Sequence, residues 1–133
     1  LVFDAAPGQP AWRCSGSLLS PTVFLTAGHC TEPPAAHVEI WFDADVEFGI
    51  PANGYPFTGD IGGTPQTHPD YSPAAFFVRD VGVVVLDDPY PMSEYGELPE
   101  LNELLQPAAD LGQQGAGFFT AVMFAELERH GSR

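Results

Sequence analysis

Glycine and proline break this chain into short pieces. There are 14 of each among 133 residues, about one position in five, and they fall between short apolar runs. Glycine opens backbone conformations that other residues avoid, and proline removes an amide donor. Such punctuation suits short strands joined by turns and works against a helical bundle. An all-β domain is the architecture it favours. Apolar residues make up 44% of the chain, enough to supply a core at single-domain length.

Leu1–Asp4 reads as a strand, with turn chemistry following at Pro7-Gly8 and Pro10. Ala11–Ser20 resumes with Trp12, Cys14, Leu18 and Leu19, so the two segments are expected to form a hairpin. Ser20-Pro21 interrupts, and Thr22–Ala27 is a short β-branched and apolar run. Val38–Phe42 alternates, with Val38, Ile40 and Phe42 on one side and Glu39 and Trp41 on the other. That is the period of a half-buried antiparallel strand. Residues 43–60 are acidic and rich in Gly and Pro, hence mostly loop. Ile61–Thr67 is a weaker strand because of Gly62 and Gly63. Asp80–Asp87, built on Val83-Val84-Val85-Leu86, is the strongest in the chain.

Six short strands within residues 1–90 fit a small closed barrel or a sandwich. Residues 91–117 read as a linker with a short helix over 97–106. Pro99 stands where a first helical residue would, and Leu101, Leu104 and Leu105 share one face. Residues 118–133 begin with Phe118–Phe124, an apolar, β-prone run with no obvious partner in this chain.

The charge narrows the function. Four Arg, no Lys and 18 acidic residues leave a formal net charge of −14. A surface so acidic repels nucleic-acid phosphates and anionic membranes, so neither is an expected partner. No apolar run has the length of a transmembrane span. The N-terminal residues lack a charged n-region and a cleavage site, and Leu1–Asp4 already reads as a strand. The chain is therefore expected to begin inside a fold.

Cys14 and Cys30 are spaced so that a cross-link would close a short loop, contributing roughly 3 kcal/mol. If it forms, the compartment is oxidising. Two lone cysteines with no C-x-x-C do not make a zinc site. Beside Cys30 stands His29, at the end of Val23-Phe24-Leu25-Thr26-Ala27-Gly28. There a strand gives way to a small-residue turn and presents one imidazole next to a thiol that can reach back to Cys14. A general base must be held in one orientation, and a neighbouring disulfide is one means of holding it. Asp80 opens the apolar strand 80–87, where an unpaired carboxylate would be costly to bury. Paired with His29, it would accept the Nδ1–H bond, choose the tautomer and stabilise the imidazolium. His29 precedes Asp80 by 51 residues, in keeping with the order and approximate spacing of a chymotrypsin-type triad.

The segment S-G-S-L-L-S-P-x-x-F-L-T-A-G-H-C resembles the histidine motif of trypsin-like serine proteases, with Gly28 in place of the commoner alanine. His68-Pro69-Asp70-Tyr71 is similar to the H-P-x-Y segment that precedes the aspartate in many members. R-D-V-G-V-V-V-L-D-D-P resembles the family's D-I-A-L-L-x-L strand. Thr120-Ala121-Val122 is weakly similar to the start of the second barrel, although Met123-Phe124-Ala125 replaces the Gly-aromatic-Gly turn. The likeness spans roughly residues 1–125. It implies a six-stranded antiparallel Greek-key barrel followed by part of a second barrel. It also implies His29 and Asp80 as two members of a catalytic triad, protein or peptide substrates, no cofactor, and a secreted, extracellular protein.

Two parts of the family pattern are missing. The nucleophile motif G-D-S-G-G-P does not occur; of the six serines only Ser93 and Ser132 follow Asp80, and neither sits in a similar context. Gly59-Asp60-Ile61-Gly62-Gly63 imitates the motif with isoleucine at the serine position, but lies before Asp80. The I-V-G-G-type terminus is also absent; Leu1-Val2-Phe3-Asp4 stands at the start of the chain. The resemblance thus implies the N-terminal portion of a secreted endopeptidase whose serine lies outside this chain, in a missing C-terminal barrel, with the isolated chain inactive. The alternative is a non-catalytic, truncated protease-like barrel used for binding. Asp43, Asp45 and Glu47, with Asn53 and Asp60 further on, form a weak calcium candidate, since some members bind Ca²⁺ in the corresponding loop. Phe48 stands where an EF-hand would need its glycine.

Overall fold

The computed structural model describes residues 1–98. Seven strands form: β1 (Val2–Ala6), β2 (Gln9–Arg13), β3 (Ser17–Ser20), β4 (Val23–Thr26), β5 (His37–Ile40), β6 (Ile61–Thr67) and β7 (Gly82–Leu86). One helical turn, α1 (Gly28–Thr31), follows β4. The strands make a single sheet in the order β2-β1-β5-β6-β7-β4-β3, and every pair is antiparallel. The all-β expectation is met. Closure into a barrel is not: no ladder joins β2 to β3, so the hydrogen-bonded sheet stays open.

Seven strands appear where six were expected because Ala11–Ser20 divides. Its first part pairs with β1 and its second with β4, and the chain must turn to change partners. The residues between are tied to both flanks. The Cys14 amide donates to Leu1 O at 3.1 Å, and Ser15 O accepts the Thr26 hydroxyl at 2.9 Å. Gly16 is required at this crossing, since a Cβ there would lie 2.1 Å from Leu25 O.

The core sits on the enclosed face of the sheet. Phe3, Val38, Ile40 and Val84 are wholly buried, and Leu18, Phe24, Cys30 and Leu86 nearly so. Each large aliphatic or aromatic side chain buried there contributes about 1.5–3 kcal/mol. Along β5 and β7 these residues alternate with more exposed ones, as a strand with one buried face requires. Val38 and Ile40 follow the expected alternation, but the strand ends at Ile40. Beyond it Trp41 turns inward, donates its indole N–H to Asn53 O at 2.8 Å and packs edge-on against Tyr55. Phe42 stacks on Tyr90.

Residues 43–60 are loop apart from a single 3₁₀ turn at Glu47–Gly49. The expected helix over 97–106, save its first two residues, and the run Phe118–Phe124 lie outside the described residues. Among the described residues no helix is long and apolar enough to cross a membrane.

Candidate active site

His29 lies on α1, where sequence reading expected only a turn. Ala27 enters α1 in extended conformation. The Cys30 amide bonds Ala27 O, and the Glu32 amide bonds Gly28 O. One turn of helix has little stability of its own, so its position is set by packing. Two glycines permit that packing. A Cβ at Gly28 would lie 3.0 Å from Val81 N and from Val81 O, and 3.2 Å from Asp80 Oδ1; one at Gly82 would lie 2.3 Å from Thr31 Oγ1. Bare backbone on each side lets α1 nest against the start of β7. Thr31, buried beneath, donates its hydroxyl to Gly28 O at 3.0 Å and shares a hydrogen bond with Thr67 Oγ1.

Two further anchors flank the histidine. Cys14, just past β2, is disulfide-bonded to Cys30, with Cα atoms 6.5 Å apart. The indole N–H of Trp12 donates to Cys30 O at 3.0 Å, while its ring stacks on the buried Phe3. Sequence reading anticipated the covalent anchor but missed Trp12, Thr31 and Gly82.

Asp80 is aimed from the other side. Arg79 adopts a positive φ of 55°, a conformation uncommon for a residue with a Cβ. The Val81 amide closes a tight turn onto Arg79 O at 2.8 Å. The Asp80 carboxylate then meets His29 twice. Oδ2 is 2.7 Å from Nδ1 of the ring, and Oδ1 accepts the His29 backbone N–H at 2.7 Å. An ionised carboxylate only accepts, so Nδ1 carries the proton. The His29 and Asp80 side chains are 28% and 18% exposed, so water screens the pair less than a surface ion pair. The neighbouring Tyr71 phenol is pushed above its ordinary value, chiefly by desolvation and then by the negative charges of Glu32 and Asp80.

The acidic loop is organised differently. Asp43 accepts a hydrogen bond from the Asn53 side chain, Asp45 accepts the Phe48 amide, and Glu47 faces Arg13 at 3.6 Å. The three carboxylates each have a separate partner. Among the described residues, the one group of three potential metal ligands lying close together is Cys14, His29 and Cys30. Its two sulfurs are spent in the disulfide and offer no thiolate.

In the comparisons with known proteins, no curated protein and no solved structure gives a match. The Trypsin family does match, over residues 4–118. A match over so much of the chain, taken with this fold, places the chain in the trypsin family of serine proteases.

Proposed function

We propose that this chain is the N-terminal portion of a secreted trypsin-like endopeptidase. His29 serves as its general base and acid, Asp80 orients it, and a serine outside the chain is the nucleophile. The observation that supports this reading most is the double hydrogen bond from Asp80 to His29. One carboxylate oxygen fixes the backbone that carries the imidazole, and the other fixes the ring. In the reaction, Nε2 takes the proton from the serine hydroxyl as its oxygen attacks the substrate carbonyl. Asp80 stabilises the imidazolium that forms, and the same nitrogen then delivers the proton to the leaving amine. Oxyanion donors come with the serine segment in this chemistry.

Secretion is supported by the disulfide, which persists in oxidising compartments.

The test compares two proteins. A longer gene product carrying a downstream G-D-S-G-G-P should digest casein and label with a fluorophosphonate at that serine. Chain 1–133 alone should do neither. Stoichiometric labelling of a serine within 1–133, or a longer product that is inert while folded, overturns the proposal and favours a non-catalytic binding barrel.

A further inference from the structure

Cys14, His29 and Cys30 form a close group whose members are each held by bonds other than the disulfide. Their ligand atoms, one from each residue, all lie within 4.8 Å of one another. Asp80 grips both the ring and the backbone of His29. The Trp12 indole donates to Cys30 O at 3.0 Å, and the Cys30 amide is bonded to Ala27 O at 3.2 Å. Cys14 exchanges two backbone hydrogen bonds with Leu1, each 3.1 Å. Breaking the S–S bond therefore leaves two sulfurs and one imidazole close together.

The disulfide conceals a donor set. Thiolate sulfur and imidazole nitrogen are the ligands that zinc favours, and reduction would offer two of the first beside one of the second. C-x-x-C spacing is not needed, because folding brings the end of β2 against α1. Bonds of about 2.3 Å to sulfur and about 2.0 Å to nitrogen set those atoms about 3.6 Å apart on a tetrahedral zinc ion. From the separations present, the closing movement is on the order of 1 Å, within reach of side-chain rotation. The Cα atoms of Cys14 and Cys30 are 6.5 Å apart, near the wide end of what a disulfide spans, which gives the sulfurs room to part. Asp80 adds a supporting carboxylate. It accepts the hydrogen bond from Nδ1, as such partners do for zinc-bound imidazoles, and this makes Nε2 the ligating nitrogen.

We propose that the reduced chain binds one zinc ion through Cys14, Cys30 and Nε2 of His29, with water in the fourth position. A dithiol reaches the bond from the half-buried Cys14 and supplies two electrons and two protons. The S–S bond breaks, two S–H groups form, and the dithiol closes to its own disulfide. Zinc then displaces both thiol protons, and the two thiolates neutralise its charge. Disulfide and metal are thus alternative ties between the end of β2 and α1, selected by redox state. Metal binding stands on this geometry alone. Its consequence for catalysis rests on the protease reading: the ion takes the nitrogen that would receive the serine proton, and so keeps reduced protein inactive.

The test is calorimetric titration with zinc chloride of chain 1–133, reduced with excess dithiol and freed of it by gel filtration under argon. The reduced chain should bind one equivalent, and the oxidised chain should show no comparable binding. His29→Gln should weaken binding by more than about 100-fold, beyond the loss caused by removing a supporting partner, and Asp80→Asn by about 10- to 100-fold. His68→Gln, outside the group, should leave it unchanged. Zinc should raise the melting temperature of the reduced chain and not of the oxidised one. If reduction unfolds the chain, zinc should restore its β-sheet circular dichroism. Absence of saturable binding, equal binding by the oxidised chain, binding that survives His29→Gln, equal loss with His68→Gln, or failure of zinc to restore a lost fold overturns the proposal. A serine-bearing longer protein that binds zinc when reduced yet stays active overturns the consequence for catalysis and leaves the metal site standing.

Discussion

Asp80 holds His29 by two bonds of equal length, one to the ring and one to the backbone, each 2.7 Å. The carboxylate therefore fixes both where the imidazole stands and which of its nitrogens carries the proton. A substitution that preserves shape but changes hydrogen-bonding character separates these effects.

Asp80→Asn is that substitution. The amide oxygen can accept only one of the two donors, and the NH₂ group must then face the other. Where NH₂ faces Nδ1, the ring takes the opposite tautomer. In a serine-bearing full-length protein, turnover should fall by about four orders of magnitude, the size reported for the matching change in a chymotrypsin-type triad. Imidazole nitrogen NMR should show the tautomer change while the melting temperature changes little by comparison. Near-normal turnover would falsify the assigned role of Asp80.

Gly82→Ala should disturb the site without touching a titratable group. Its Cβ would lie 2.3 Å from Thr31 Oγ1 and 2.9 Å from Ala27 O, so α1 must move away from β7. Overpacking of this kind costs about 1–3 kcal/mol. Denaturant unfolding should register that loss, and adding Thr31→Ala should recover part of it by removing the obstructing side chain. Full stability in the single variant would mean that α1 is not held by this close approach.

The disulfide gives a third measurement. Its closed loop spans a separation of 16 residues, so its removal as Cys14→Ser/Cys30→Ser should cost about 3 kcal/mol. Mass spectrometry of unreduced protein should find Cys14 linked to Cys30. Two freely alkylated thiols in protein from an oxidising compartment would remove the support for secretion.

Arg79 predicts opposite outcomes for two substitutions. Its φ of 55° is open to glycine and costly for a β-branched side chain. Its ion pair with Asp70 at 3.5 Å is exposed on both sides and contributes little. Arg79→Gly should be neutral or slightly stabilising, whereas Arg79→Val should cost about 1–2 kcal/mol. Equal effects in thermal unfolding would mean that this turn does not strain the backbone before Asp80.

The sequence by itself determined the strand content and the two ends of the histidine–aspartate pair. Glycine and proline set segment length, and alternation at Val38 and Ile40 exposed the buried face of β5. The flanks of His29 and Asp80 carried the family likeness. These signals are local, because propensity and period act over a few residues. The tertiary structure decided the rest. Ala11–Ser20 broke into two strands because its partners lie on different sides of the sheet. Trp41 turned inward because the ladder ended at Ile40 and Asn53 O, 12 residues on, could accept its indole N–H. The site depends on Thr31 meeting Thr67, separated by 36 residues, and on His29 meeting Asp80, separated by 51. Whether a glycine is a weak point in a strand or the bare backbone against which another element packs, as Gly82 is for Thr31, is a property of its neighbours, and chain folding chooses those.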